Sequence, residues 1–384
     1  MGVKMGLNNK NIQEKDNLLK QLKIMSEESK LYIVGAGRYG DILGKWLNQN
    51  EIKWSGYLDR SKDNREINGK KIFNILEVKD ENNFYVISSP KYRDEMKAEL
   101  AEQGISEKKI ISPKDMDLLI HIYDDTDNWR KYTEKCKKFS RCHQNSERCF
   151  IIGNGPSLRI EDLEMLRNEI TFAANTIYGV YGSTDWRPSY YCSVDTTIWN
   201  TLGRDEIIEK ILSSCEAAFA SPYGSSFEYK EDEEFKNLYY VMPVEQKDSD
   251  TQYSLFAEEC SDIVNICGTV TYIMMQLAVY MGFKKIYLLG IDFTFSHEKH
   301  GDNSIKINNI SNHMEQIEKE QERFYEVLKK KYGYNYMASV DQQKEAYMSA
   351  KKYADEHGIK IYNATRGGKL EVFERVDFDT LFAE

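Results

Sequence analysis

The sequence predicts an α/β protein of two Rossmann-like domains with mostly parallel sheets, joined by a helical connector. Three observations carry that expectation. At 384 residues the chain is too long for one ordinary hydrophobic core. Apolar runs of strand length break directly into small-residue turns twice, in LYIVGAGRYG from Leu31 and in CFIIGNGPS from Cys149. Between them lies a highly charged segment with no glycine or proline, MDLLIHIYDDTDNWRKYTEKCKKFSRCHQNSER.

Composition narrows the class of protein. Hydrophobic residues make up 41% of the chain and charged residues 30%, the balance of a globular protein with a packed core. Lys plus Arg number 52 against 62 Asp plus Glu, and a formal net charge of −10 argues against a nucleic-acid partner. The seven cysteines, at 136, 142, 149, 192, 215, 260 and 267, form no CxxC pair and no Cys/His ligand spacing, so they read as reduced thiols. No signal-peptide core opens the chain and no apolar window reaches the roughly 20 residues of a spanning helix, so a cytoplasmic location is expected. The triplets at Asn309 and Asn363 match a glycosylation acceptor only if the chain were secreted, and are set aside.

Residues 1–29 carry spaced Leu and Ile among charges and predict one exposed helix. A small Rossmann-like domain is expected over 30–115. LYIVGAGRYGDILGKWLNQN is a strand, a glycine turn and an amphipathic helix, with Gly35, Gly37 and Gly40 in the GxGxxG spacing. Such a turn lets backbone approach a phosphate at a helix N-terminus, where free N–H groups and the helix dipole favour an anion. WSGYLDR is a second strand, and it ends in Asp59, about twenty residues past the glycines, where a carboxylate can meet a ribose hydroxyl. KKIFN and NFYVISSP are further strands, followed by the helix KYRDEMKAELAEQG and the strand KKIIS. Gly35, Gly37, Gly40 and Asp59 are therefore the candidate ligand residues of the front domain. A turn kept only for packing is the alternative.

Residues 116–147 form the expected helical connector, where His121 and His143 read as surface or packing histidines. The second domain is expected over 148–384. In CFIIGNGPSLRIEDLEMLRN a strand feeds Gly153, Asn154, Gly155, Pro156 and Ser157 and then a helix. The glycines permit close backbone approach, the proline stiffens the loop, and Ser157 can cap the helix or donate to a phosphate oxygen. ITFAANTIYG ends a strand near Asn175, and PSYYCSVDTTIW ends one at Asp195, so an amide and a carboxylate fall where open α/β sheets hold ligands. NICGTVTYIMMQLAVYMGFKKIYLLGIDFTFS reads as a small-residue turn at Gly268-Thr269, a buried helix and a strand ending at Asp292. Met274 and Met275 read as core. The acidic, tyrosine-rich stretch 221–253 reads as a lid, an insertion or a solvated loop, with one strand, LYYVMPV.

In that order, GNGPS, AANT, SVD, the GT before an apolar helix, GFKKIYLLGIDFTFSHEKHG and IKIYNATRGG resemble the MptE-like domain family, which includes Maf flagellin glycosyltransferases and a pterin pyrophosphokinase. The GNGPS opening and the late GID strand are also similar to bacterial sialyltransferases that use CMP-sialic acid. The front domain resembles, more loosely, the small Rossmann unit ahead of sugar-modifying acetyltransferases. The resemblance implies Asn154, Gly155, Ser157 and Asn175 around a nucleotide, Gly268 and Thr269 around its phosphate, and Asp292 at the floor of the acceptor pocket. Two departures stand out: the sialyltransferases carry a tyrosine two residues past the aspartate and a catalytic histidine before the last helix, whereas this chain has Thr294 and no histidine there. It has instead His300, where MptE-like proteins commonly carry a histidine.

The resemblance implies a glycosyltransferase using a nucleotide-activated sugar, a CMP-linked nonulosonate, in bacterial surface glycan or glycoprotein synthesis. Its partners would be that donor and a glycan or protein acceptor; no cofactor is required, and a homo-oligomer is allowed. His300, with His297 as second choice, would serve as base. The alternative is an ATP-dependent pyrophosphokinase for a hydroxymethyl pterin-like substrate, needing Mg2+ on Asp195 and Asp292. A non-catalytic nucleotide-sugar sensor or scaffold is the third reading.

Overall fold

The computed structural model describes residues 7–60, 66–76, 80–89, 92–112, 132, 134–195, 209–221, 236–244, 253–294, 296–299, 305–308, 314–320, 322, 326 and 340–383. The chain divides into two compact units, Met1–Arg130 and Lys131–Glu384.

The first unit opens with helix α1 (Leu7–Glu28), followed by β1 (Leu31–Val34), α2 (Arg38–Gln49), β2 (Gly56–Asp59), β3 (Glu66–Ile67), β4 (Lys70–Asn74), β5 (Phe84–Ile87), α3 (Arg93–Glu102) and β6 (Ile110–Ile111). The sheet order is β3-β4-β2-β1-β5-β6, parallel except where β3 meets β4. Side chains alternate across β1, and both faces are covered. Leu31 and Ile33 pack with Leu43, Trp46 and Leu47 of α2, while Tyr32 and Val34 pack with Leu58, Tyr85 and Leu100. The β3–β4 hairpin was not anticipated. It turns at Asn68-Gly69, both at positive φ, the pairing that a two-residue hairpin turn favours.

The second unit contains β7 (Cys149–Ile152), α4 (Ile160–Met165), β8 (Thr171–Ala174), β9 (Tyr190–Ser193), β10 (Ala217–Ala220), β11 (Leu238–Tyr240), β12 (Pro243–Val244), β13 (Val264–Asn265), α5 (Val270–Tyr280), β14 (Lys285–Leu289), β15 (Ser296–Lys299), β16 (Ile305–Asn308), α6 (Val340–Glu356), β17 (Lys360–Asn363) and β18 (Glu374–Arg375). Eight of these strands form a parallel sheet in the order β11-β10-β9-β8-β7-β14-β17-β18. The chain steps outward from β7 through β8 to β11, then returns to β14 on the other side of β7. The order therefore reverses between β7 and β14, and ligands of open α/β sheets bind beyond the strand ends at such a point. Helix α5 is apolar all round and lies in the core through Tyr272, Ile273, Met274, Met275 and Leu277.

One expectation needs correction. LYYVMPV is two strands: β11 closes the large sheet, the chain bends at Val241-Met242, and β12 pairs with β13 instead. Pro243, which has no N–H to give to a ladder, starts that second strand. The two compact units meet between Arg130 and Lys131, inside the expected connector 116–147, of which 116–131 and 133 lie outside the described residues. Its later part is core of the second unit, because Phe139 meets the rings of Tyr190, Phe219 and Tyr239, and His143 stacks on Phe283 and bonds Tyr190.

Candidate functional site

Glycines let the ends of β7 and β14 meet backbone to backbone. Gly153 N–H donates to the Leu289 carbonyl at 2.8 Å and Gly155 N–H to the Gly290 carbonyl at 2.9 Å. A Cβ on Gly153 would overlap the Gly290 carbonyl, and one on Gly155 would overlap the Asp292 carboxylate. Gly290 itself has φ +68°, which L side chains rarely adopt. The loop after β17 joins the same point: Lys369 N–H donates to the Asp292 carbonyl at 2.6 Å, Ile291 N–H to Thr365 Oγ1 at 3.1 Å, and Arg375 clamps the Gly367 and Gly368 carbonyls.

Asp292 sits at this junction, 7% exposed. Its Oδ2 accepts from Ser157 Oγ at 2.8 Å and from Ser157 N–H at 3.3 Å. Burial raises its pKa from the usual 3.8, and the Ser157 hydroxyl and amide, with Arg375, only partly offset that. The GNGPS loop thus cradles a carboxylate of its own chain. This corrects the expectation that Ser157 caps a helix: its donors face Asp292, and α4, only six residues long, starts later at Ile160 with no side-chain cap.

Asn154 points the other way. Its Nδ2 donates to the Ala174 carbonyl at 3.2 Å and to Thr176 Oγ1 at 3.4 Å, while its Oδ1 is buried and accepts no hydrogen bond. Asn175 follows Ala174 at φ +52°, a conformation asparagine tolerates better than most residues; its Oδ1 accepts from Ser193 Oγ and its carbonyl from Tyr191 OH. Gly153, Asn154, Gly155, Pro156, Ser157, Asn175 and Asp292 therefore gather where β7, β8 and β14 end. Thr269 is the N-cap of α5, accepting from Thr271 N–H, and Gly268 at φ +65° lies against Gln342. The Tyr347 ring meets Phe293, the neighbour of Asp292. The Tyr347 and Phe293 contacts are not visible in the sequence, since they link residues far apart along the chain.

Asp195 lies two residues past the end of β9, and the carboxylate of Asp292 rests on the loop after β7, two strands away in the sheet order. Among the described residues no group of three or more His, Cys, Asp or Glu could hold a metal. His300 lies outside the described residues; His297 is on β15, opposite Ile307 of β16.

In the first unit, Gly35 at φ +100° starts the turn after β1, and a Cβ on Gly40 would overlap the Gly35 carbonyl. Asp59, at the end of β2, accepts from Ala36 N–H within that turn at 2.8 Å. A cavity of about 410 Å³ opens beside Gly35, Gly37, Gly40 and Asp59.

Each unit is thus a Rossmann-like α/β fold, and in the second the candidate residues gather where the strand order reverses. Residues 121–298 match the family model described as 6-hydroxymethylpterin diphosphokinase MptE-like, and residues 27–111 match C2185-like, N-terminal. No curated protein matches the chain. Among solved structures, the Maf glycosyltransferase of Magnetospirillum magneticum AMB-1 is similar at 14% identity, over 100% of this chain and 64% of that one, with a TM-score of 0.38. The sialyltransferase CstII of Campylobacter jejuni, in complex with cytidine-5′-monophosphate, is similar at 18% identity, over 60% of this chain and 85% of that one, with a TM-score of 0.33. The chain spans 64% of the length of the Maf protein. No helix among the described residues is long and apolar enough to cross a membrane.

Proposed function

We propose that the second unit is a glycosyltransferase that moves a sugar from a nucleotide-activated donor, a CMP-linked nonulosonate, to a hydroxyl of a glycan or protein acceptor. The observation that carries this reading is the buried carboxylate of Asp292, aimed by Ser157 and raised in pKa, at the reversal point of the sheet. A carboxylate whose pKa moves toward neutrality is a better proton acceptor for a hydroxyl than an exposed one. Asp292 takes the acceptor proton as the acceptor oxygen bonds the anomeric carbon; the bond from that carbon to the phosphate oxygen breaks, and CMP leaves with the electron pair. The start of α5 at Gly268-Thr269 supplies the positive end of a helix dipole for the departing phosphate. Asn154 Oδ1, buried and unpaired, is an acceptor suited to an amino or hydroxyl group of the nucleotide. His300 is the competing base, and its variant belongs in the same assay.

The diphosphokinase reading rests on the match of residues 121–298 to the 6-hydroxymethylpterin diphosphokinase MptE-like family. Asp195 and Asp292 are the carboxylates that would hold its Mg2+.

The test is release of CMP from CMP-N-acetylneuraminate in the presence and absence of EDTA. The parent should release CMP with or without chelator, and Asp292→Asn should lose at least about a hundredfold in rate, the lower range for a general base, with CMP binding retained. A parent that binds the donor and never turns it over would leave only the sensor. Magnesium-dependent formation of AMP from ATP and a hydroxymethylpterin, with no CMP release, would replace the transferase by the kinase.

A further inference from the structure

We propose that Phe293 is a positioning residue, whose left-handed backbone holds the Asp292 carboxylate on Ser157; its effect on rate rests on the transferase reading of that carboxylate. Five residues other than glycine have a positive φ among the described residues: Glu51, Asn68, Arg141, Asn175 and Phe293. Four have a local reason. Asn68 and Asn175 are asparagines, which tolerate this conformation, and Glu51 and Arg141 each follow the C-cap of a helical turn, where chains commonly go left-handed. Phe293, at φ +51°, follows the end of a strand, and a bulky aromatic residue in that conformation is strained. Such strain persists only where the surroundings hold it, and it gathers at sites where geometry matters.

Two anchors hold it here. On one side the loop after β17 pins the backbone of Asp292. Lys369 N–H donates to the Asp292 carbonyl at 2.6 Å, and a Cβ on Gly368 would come within 2.5 Å of that oxygen and 2.8 Å of the Asp292 Cα. On the other side the Phe293 ring packs on the core of the second unit and meets the Tyr347 ring edge-on, with centroids 5.8 Å apart. Tyr347 is buried on α6 and meets Phe373 at 6.2 Å, so it has little room to yield. With both anchors fixed, the φ of Phe293 decides how the peptide between them lies, and with it the direction of the Asp292 side chain. At +51° the carboxylate reaches Ser157 Oγ at 2.8 Å and Ser157 N–H at 3.3 Å. An alanine at 293 has no ring to hold it and relaxes to negative φ, swinging Asp292 off Ser157. Glycine and asparagine reach positive φ at little cost without a ring.

The experiment compares Phe293→Ala, Phe293→Gly and Phe293→Asn in two assays. In release of CMP from CMP-N-acetylneuraminate, Phe293→Ala should lose at least about tenfold in kcat with KM within about twofold of the parent, the pattern of a misplaced group that acts in the transition state. The glycine and asparagine variants should each recover at least about threefold over alanine, and both should melt above it. In thermal melts, which need no turnover, Ser157→Ala should lower the melting temperature of the parent by about 3 °C or more, because a buried carboxylate loses a donor. The same change should cost less than about half as much in the Phe293→Ala background and the full amount in the Phe293→Gly background. A parent that releases no CMP removes the transferase, and the melts still decide the role of Phe293. The proposal is overturned if alanine equals or exceeds glycine and asparagine in kcat or in melting temperature, the order expected of lost packing alone. It is also overturned if the loss of rate lies in KM alone, or if Ser157→Ala costs the same in all three backgrounds.

Discussion

At the scale of single residues, Asp292 carries a cost along with its proposed role. Its carboxyl has a higher pKa in the folded protein than in the unfolded chain. Between those two values the folded state holds the proton more often, so stability falls as pH rises through that window and stays lower above it. Asp292→Asn, which can still accept from Ser157, should therefore melt at a higher temperature than the parent at pH 7. The gap should close as the pH approaches 4, and thermal melts across that range will show it. A variant less stable than the parent at neutral pH would mean that the carboxylate is favourably solvated. The sequence made Asp292 legible as a strand-end carboxylate, and Asn154 and Asn175 as strand-end amides. Its partner was not legible, because Ser157 and Asp292 are 135 positions apart and nothing local records that they touch.

At the scale of elements, the strand–turn–helix units were read from apolar runs ending in glycine, and β1, β7, β8, β9 and β14 lie where those runs were. What the sequence could not distinguish is a glycine kept for a ligand from one kept for another loop. Both turns look alike in one dimension, yet Gly153 and Gly155 lie against backbone and carboxylate, whereas Gly37 faces open space. Gly155→Ala should destabilise the second unit by about 1–3 kcal/mol or more, the usual cost of forcing atoms into packed space, whereas Gly37→Ala should change stability by less than about 0.5 kcal/mol. Urea denaturation of the two variants decides this, and equal effects would contradict the distinction. Helix α5 hides a similar detail. Its run of apolar residues reads as core, but Gln276 lies within it, fully buried, with Oε1 accepting from Ala257 and Asn265 N–H groups and Nε2 donating to the Asn265 and Tyr272 carbonyls. It ties the segment before the helix to its buried face, through partners that periodicity does not reveal.

At the scale of the whole molecule, each unit has its own sheet and its own core on both faces of that sheet. Calorimetric unfolding of the full chain should resolve two transitions, with Gly40→Ala lowering one and Gly155→Ala the other; a single transition moved by both variants would show one cooperative unit. The division into two was legible from length and from the two glycine turns; the packing of Phe139 and His143 into the second unit's core was not, since a charged helical pattern does not reveal it. The central claim is that the second unit holds a cytidine nucleotide at the reversal of its sheet, and the most direct measurement is calorimetric titration of the Gly37→Leu chain, its front cavity blocked, with CMP and with ATP plus Mg2+. CMP should bind without metal, and a further Asn154→Ala change should weaken it by about 1–3 kcal/mol, the cost of losing a buried polar partner. Binding of ATP with Mg2+ and none of CMP would contradict it.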